Sequence, residues 1–264
     1  MMLTFFPWWT AEREYDVEGF SLIPRHRVRL KKNASTSDKA AAHTLRSYRI
    51  NPKRPVQSVT LVEIAGRERF ADLDNDERYR LFAFREALTF TALAGRKLFA
   101  HDGYWNADCF RMIIQGFTTG ETIAKVSRRR DGQTMGFGSA SLMLELMPSH
   151  VEPPQWNPDI ALLSALLKAV AKAKTANITA AMYEFNSANT DGPNIAEYLE
   201  LVPMVSAFQT LLGAGTAARD LGEAFHREWT PTKRMPLARC TLGTAKTCYA
   251  FSYVQVVARE NQRW

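Results

Sequence analysis

At 264 residues, 46% of them hydrophobic and 23% charged, the chain is long enough to bury a sizeable core and too mixed to be a disordered polyelectrolyte. Its formal charge of +7 comes mostly from Arg, 23 of them against 11 Lys, which admits an anionic partner and equally a basic surface that only aids solubility. An odd count of three cysteines with no close pair, Cys109, Cys240 and Cys248, argues against a disulfide framework or a structural zinc site and reads as a cytoplasmic protein.

The opening "MMLTFFPWW" lacks a basic flank and contains Pro7, so it is neither a signal peptide nor a membrane span. It is expected as a first strand or an aromatic anchor, and no membrane partner is expected. Residues 1–72 read as β-rich. "RHRVRLKK" alternates, so Arg25, Arg27 and Arg29 are expected on one face of a strand, a basic stripe suited to phosphate contact. "KKNASTSDKAAAH" is a loop or a short helix. "VQSVTLVEI" (Val56–Ile64) is a β-branched strand, and after the turn at Ala65-Gly66 "RERFADL" is expected to return as the second arm of a hairpin.

Asp74 with Glu77 three residues on forms a capping box. Leu81, Phe84, Leu88, Ala92, Gly95 and Phe99 then mark the buried face of a long helix, and Phe82, Phe90 and Leu93 widen it for packing on two sides. A second β section follows from about Asp108 to Met147. "ETIAKVSRRR" leads to a hairpin turn at Asp131-Gly132, whose tip carries Arg128, Arg129 and Arg130, either solvated or in contact with phosphate. In "SASLMLEL", Ala140, Leu142, Leu144 and Leu146 are expected on the buried face of a half-buried strand.

"PSHVEPPQWNPD" places four prolines in twelve residues and divides the chain into a β-rich region 1–152 with one long helix and a helical region 153–264. Asn157 is the expected cap and Pro158 the first helical position of a helix running to about Ala188. "NSANTDGPN" is a turn, Asn194 caps the next helix, which ends by Gly213 or Gly215, and a third helix spans roughly Thr216 to Trp229. The fold class is thus α+β, a β-rich half built around one long helix followed by an all-helical bundle. No Gly-rich phosphate loop, nucleophile elbow or zinc motif is present, so no cofactor or metal is expected.

The phrase "AMYEFNSANTD…EYLELVPMVSAFQTLL" resembles the helical core of the HEPN superfamily, in the branch that accompanies Apea-type prokaryotic proteins. The matching residues are Phe185, Ala188 and Asn189, then Ala207, Phe208, Leu211 and Leu212, with Gln209 where an acid is usual. The likeness covers roughly Pro158 to Trp229. It implies a HEPN-like bundle, commonly paired as a homodimer, RNA or single-stranded nucleic acid as ligand, and a place in prokaryotic defence or a toxin–antitoxin pair with a partner encoded nearby. It also implies metal-independent endoribonuclease chemistry, in which His moves the 2′-hydroxyl or leaving-group proton and Arg stabilises charge on the phosphate.

The family's Arg and His are separated by four to six intervening residues on a late helix, and no histidine follows His226 in this chain. Arg219–His226 and Arg96–His101 have that spacing, about the number of pairs that chance supplies in such a composition. Arg219 and His226, in the helical half, are the candidate catalytic pair. The alternatives are a catalytically silent relative, or a sensor that binds a protein or nucleic-acid partner through its basic face.

Overall fold

The first strand, β1 (Met2–Phe6), is buried along its whole length. A strand covered on both faces needs no polar alternation, and "MLTFF" has almost none. In the computed structural model β1 is second from one end of a five-stranded sheet. The described residues are 1–26, 35–46, 48–94, 106–116, 124–127, 134–137, 145–148, 153–154, 156–172, 177–190, 197–215 and 218–228.

The other strands of this sheet are β2 (Tyr15–Val17), β3 (Phe20–His26), β6 (Ser58–Ile64) and β7 (Ile113–Gly116), in the order β2-β3-β6-β1-β7, with every neighbouring pair antiparallel. Glu18 and Gly19 join β2 to β3 with φ of 48° and 81°, the positive pair that a two-residue hairpin turn requires. β3 and β6 stay in register from Phe20↔Ile64 to His26↔Ser58.

The expected return arm after Ala65-Gly66 is not formed. Gly66 does take a positive φ of 75°, but both ladders of β6 are already occupied, one by β3 and the other by β1. Residues 67–74 instead pass as turn and coil, where the Phe70 carbonyl accepts from the Met2 N–H at 2.9 Å.

A smaller sheet joins β4 (Tyr48–Asn51) to β5 (Arg54–Pro55) and, in parallel, to β10 (Glu145–Leu146). It meets the main sheet through Phe5 and Tyr48, whose rings stand edge to face at 4.9 Å, and through the Tyr48 hydroxyl donating to Gln115 Oε1 at 2.7 Å. Leu146 is exposed while Met147 is buried, so the alternation expected to bury Leu146 has the opposite phase at this end. The hairpin of β8 (Ala124–Ser127) and β9 (Thr134–Phe137) is antiparallel, as its sequence suggested. Its turn lies outside the described residues.

Helix α1 (Thr36–Leu45) occupies the segment read as a loop or short helix. In α2 (Asn75–Ala94) the capping box is complete: Asp74 N–H donates to Glu77 Oε2 and Glu77 N–H to Asp74 Oδ1, both at 2.8 Å. Leu81, Phe84, Leu88 and Ala92 are fully buried, and Phe84 stacks on Phe20 of the sheet at 4.5 Å. Phe82 and Phe90 face the second side and meet Tyr183 and Phe185. Two-sided packing of α2 follows directly.

The proline-rich segment leads into α3 (Ile160–Lys172), then α4 (Asn177–Ala188), α5 (Glu197–Leu212) and α6 (Ala218–Glu228). The cap of α3 is Asp159, whose Oδ1 accepts from Leu162 N–H at 3.0 Å. Asn157 is spent elsewhere, donating to Glu12 Oε2 at 2.6 Å. Of the helix expected to reach Ala188, the structure describes α3 and α4, and residues 173–176 lie outside the described residues. Gly213, with φ of 59°, ends α5 in the left-handed conformation that glycine accepts readily.

The apolar core is continuous from the sheet through α2 to Leu163, Leu167 and Met182. Trp156 packs on Trp9 and Phe110, and its carbonyl accepts from Trp9 Nε1 at 3.0 Å. Lys168 and Ser164 of α3 both reach Glu18 Oε1 in the β2–β3 turn, at 3.1 and 2.7 Å. The Ser164 hydroxyl first, and Lys168 second, hold the Glu18 carboxyl below its ordinary value of 4.5.

A carboxyl whose folded value is depressed adds stability that is fully present above pH 4.5, declines below it and vanishes once pH has fallen through the lowered value. Glu18→Gln should therefore flatten the acid limb of thermal midpoint against pH below about 4.5, with little change in its slope near neutrality. Scanning calorimetry across pH checks this, and parallel acid limbs for both proteins would refute it.

Candidate nucleic-acid interface and Arg–His pair

Helix α6 carries both members of the candidate pair. Residues seven apart return to nearly the same stripe of a helix, about 20° apart around the axis and about 10 Å along it. Arg219 and His226 are so related. Leu221 and Ala224 form the buried side of α6, so the Arg219 stripe faces outward, with Arg219 84% exposed.

Glu223 stands between them on that stripe. Its Oε1 accepts from Arg219 Nε at 2.7 Å. This bond, more than the wider field of Glu223 and Asp220, raises the Arg219 guanidinium above its ordinary value. A phosphate approaching Arg219 must compete with a carboxylate already bound, although an exposed pair of this kind is weak and exchangeable. The side chain of His226 lies outside the described residues, so the structure gives its helical position only.

Of the strand stripe, Arg25 is exposed on β3 opposite Val59. The next residue, His26, is also exposed, and its Nδ1 lies 2.7 Å from Ser58 Oγ. Arg27 and Arg29 lie outside the described residues, as do Arg128, Arg129 and Arg130, and Arg96 with His101. Strands β8 and β9 pair as far as Ser127↔Thr134 and so bring the two ends of the 128–133 connection together. Among the described residues no group of three or more His, Cys, Asp or Glu could hold a metal. None of their helices is long and apolar enough to cross a membrane.

A small cleft beside β6 is lined by Glu63, Arg67, Arg69 and Phe70. Its cations are engaged: Arg67 pairs with Glu77, and Arg69 pairs with Glu63 and Asp38, each at 3.0 Å, and lies over the Phe70 ring. It is a knot of ion pairs, with no open anion seat.

One polar cluster went unnoticed in the sequence. Glu86 of α2 is 1% exposed and pairs with the neighbouring Arg85, itself 6% exposed and lying over Phe82. Asn186 of α4, fully buried, donates through Nδ2 to Glu86 Oε2 at 2.6 Å and to the Glu86 carbonyl at 3.0 Å. The signal was available, because Arg85 and Glu86 interrupt the apolar run "LFAFREALTF", and charges in such a run need partners when buried. Nearby, Phe185 meets Phe90 at 4.9 Å, and the Asn189 carbonyl accepts from Ala107 N–H at 3.0 Å.

Comparison with protein-family models, curated proteins and solved structures finds no match.

Removing the amide that holds a buried carboxylate leaves charge poorly compensated. Asn186→Ala should lower unfolding free energy by about 2–4 kcal/mol, whereas Ser187→Ala should change it by less than about 0.5 kcal/mol. Urea titration of both variants decides this, and equal effects would show that the bridge contributes nothing special.

If Arg25, Arg27 and Arg29 form a phosphate-binding stripe, the Arg25/Arg27/Arg29→Ala triple variant should reduce the salt slope of single-stranded RNA binding by about two to three units. Filter binding from low to moderate salt reads this slope, and an unchanged value removes these residues from the interface.

Proposed function

We propose that the chain is an RNA-directed protein of prokaryotic defence or toxin–antitoxin type, built on a HEPN-like helical half that self-associates. The observation that carries this reading is the α4–α5 joint. Of the residues of the family-like phrase, Ala188 and Ala207 are buried, Phe185 meets Phe90, and Asn189 Nδ2 bonds the Phe185 carbonyl at 2.9 Å, while Leu211 is exposed. Among the described residues, α4 and α5 are the most extensively packed helix pair. The net charge of +7 supports an anionic ligand. Arg219 and His226 are the residues through which RNA cleavage would run, His as proton carrier and Arg as phosphate clamp, without a metal.

A second reading is favoured by one observation, the engagement of Arg219 by Glu223 on that stripe. In that reading the protein is a catalytically silent sensor that binds a protein or nucleic-acid partner through its basic face. The two readings meet in one expectation: the isolated chain is a poor ribonuclease, and what activity it has depends on His226.

His226→Ala should lower any cleavage of mixed RNA in chelator by about 10²–10⁴-fold, and Arg219→Ala should also lower it, with circular dichroism unchanged for both. Robust chelator-resistant cleavage that survives both substitutions would exclude this pair. RNA binding without cleavage, unaffected by either, would select the sensor.

A further inference from the structure

The contiguous apolar core stops part-way along α4. That helix contributes Met182 and, at the edge of the core, Ile178. No described residue of its second half, of α5 or of α6 belongs to that core. The buried positions of α5 and α6, Ala207, Leu221 and Ala224, lie outside it. Among the described elements α5 packs chiefly on α4 and α6 on α5, and neither packs extensively against the sheet or α2. Helices α5 and α6 therefore reach the rest of the described fold mainly through α4.

The seam between α4 and α2 is a buried charge set between two aromatic pairs. Phe82 and Tyr183 have ring centroids 5.9 Å apart, and Phe90 and Phe185 4.9 Å apart, all four rings partly buried. Between these pairs Asn186 Nδ2 donates to Glu86 Oε2 at 2.6 Å and to the Glu86 carbonyl at 3.0 Å, while Arg85 pairs with the same carboxylate. Asn186 Oδ1 is buried with no hydrogen-bond partner among the described residues.

Closing such a seam strips water from Glu86 and Arg85, and parting it returns that solvation. The opposite side of α2, where Phe84 stacks on Phe20 of the sheet, is apolar and regains nothing of the kind. Parting α4 from α2 uncovers Met182 and the four rings and leaves the sheet core whole. Segments with few buried apolar contacts are the ones that open while the remainder stays folded. Helices α4 and α5 are the most extensively packed helix pair among the described residues, so they leave α2 together.

We propose that α4, α5 and α6 form a unit that undocks from α2 while α2 and the sheet stay folded, with the Glu86–Asn186 contact as its latch. Helix α6 carries Arg219 and His226, so undocking moves that stripe relative to β3. The inference stands apart from the RNA reading, since it concerns only how the helices are attached.

Hydrogen–deuterium exchange of the full chain, read by mass spectrometry across low urea concentrations, tests it. Peptides of α4, α5 and α6 should exchange faster than those of β1 and β6, with a shallower urea dependence, because a partial opening exposes less surface than global unfolding. Two mild variants separate the routes. Ile113→Val, in the sheet core, should quicken β1 and β6 exchange several-fold and leave α4–α6 exchange unchanged, since docked and undocked forms lose the same contact. Asn186→Ala weakens the docked form alone and should quicken α4–α6 exchange by about tenfold or more. A common rate and urea slope for helices and sheet in the wild type would overturn the proposal. So would equal quickening of both by Ile113→Val, no response of α4–α6 to Asn186→Ala, or a response of α5 and α6 without α4.

Discussion

A carboxylate removed from water has to be met by partners placed for it, because the cost of leaving it bare exceeds most single contributions to stability. Glu86 imposes that condition on this fold. Arg85 satisfies it from within α2, and Asn186 satisfies it from α4, a hundred residues later. The second contact fixes the rotation of α4 against α2, since an apolar patch tolerates sliding and a bidentate amide does not. Phe185 on Phe90 and the Asn189 carbonyl on Ala107 lie within one turn of Asn186 and take their positions from the same docking. The segment "FNSAN" works here as the attachment of α4 to α2 and to Ala107.

The fate of the arginines sharpens the meaning of the net charge. Many of the described ones are engaged with acids or aromatic rings: Arg67 with Glu77, Arg69 with Asp38 and Glu63, Arg80 over Phe20, Arg111 over Trp8, Arg219 with Glu223. A guanidinium flat on an aromatic ring contributes to packing as much as to surface potential. Basic composition thus overstates the positive surface offered to a polyanion, and any nucleic-acid interface has to draw on cations outside these pairs, Arg25 among those described.

Local signals in the sequence were legible where the physics is local. The Asp74–Glu77 box, the buried face of α2, the β6 strand, the Asn-rich end of α4 and the Gly213 stop all depend on neighbours within a turn or two. The failures have a common cause in distance. "RERFADL" has hairpin chemistry, yet β6 had no free ladder to offer, because β1 and β3 arrive from far along the chain. Asn157 can cap a helix, but Glu12 claims it and Asp159 caps instead. Leu146 turns outward because its strand pairs with β4 in a small sheet whose existence no local pattern announces. Arg85 and Glu86 were visible as oddities in an apolar run, and only the arrival of Asn186 shows what they are for. The Arg219–His226 spacing was readable, while the carboxylate of Glu223 bonded to Arg219 was not.

The position of β1 also orders events in time. Met2–Phe6 is made before its neighbours, but it pairs with residues around 61 and with 113–116. Contacts so distant in sequence form slowly, and synthesis adds only about 5–20 residues per second. For some seconds, therefore, every nascent chain carries Phe5, Phe6, Trp8 and Trp9 with no sheet to enter. The aromatic cluster that later closes the core is until then apolar surface without its sheet, and a ribosome stalled before residue 116 leaves it so.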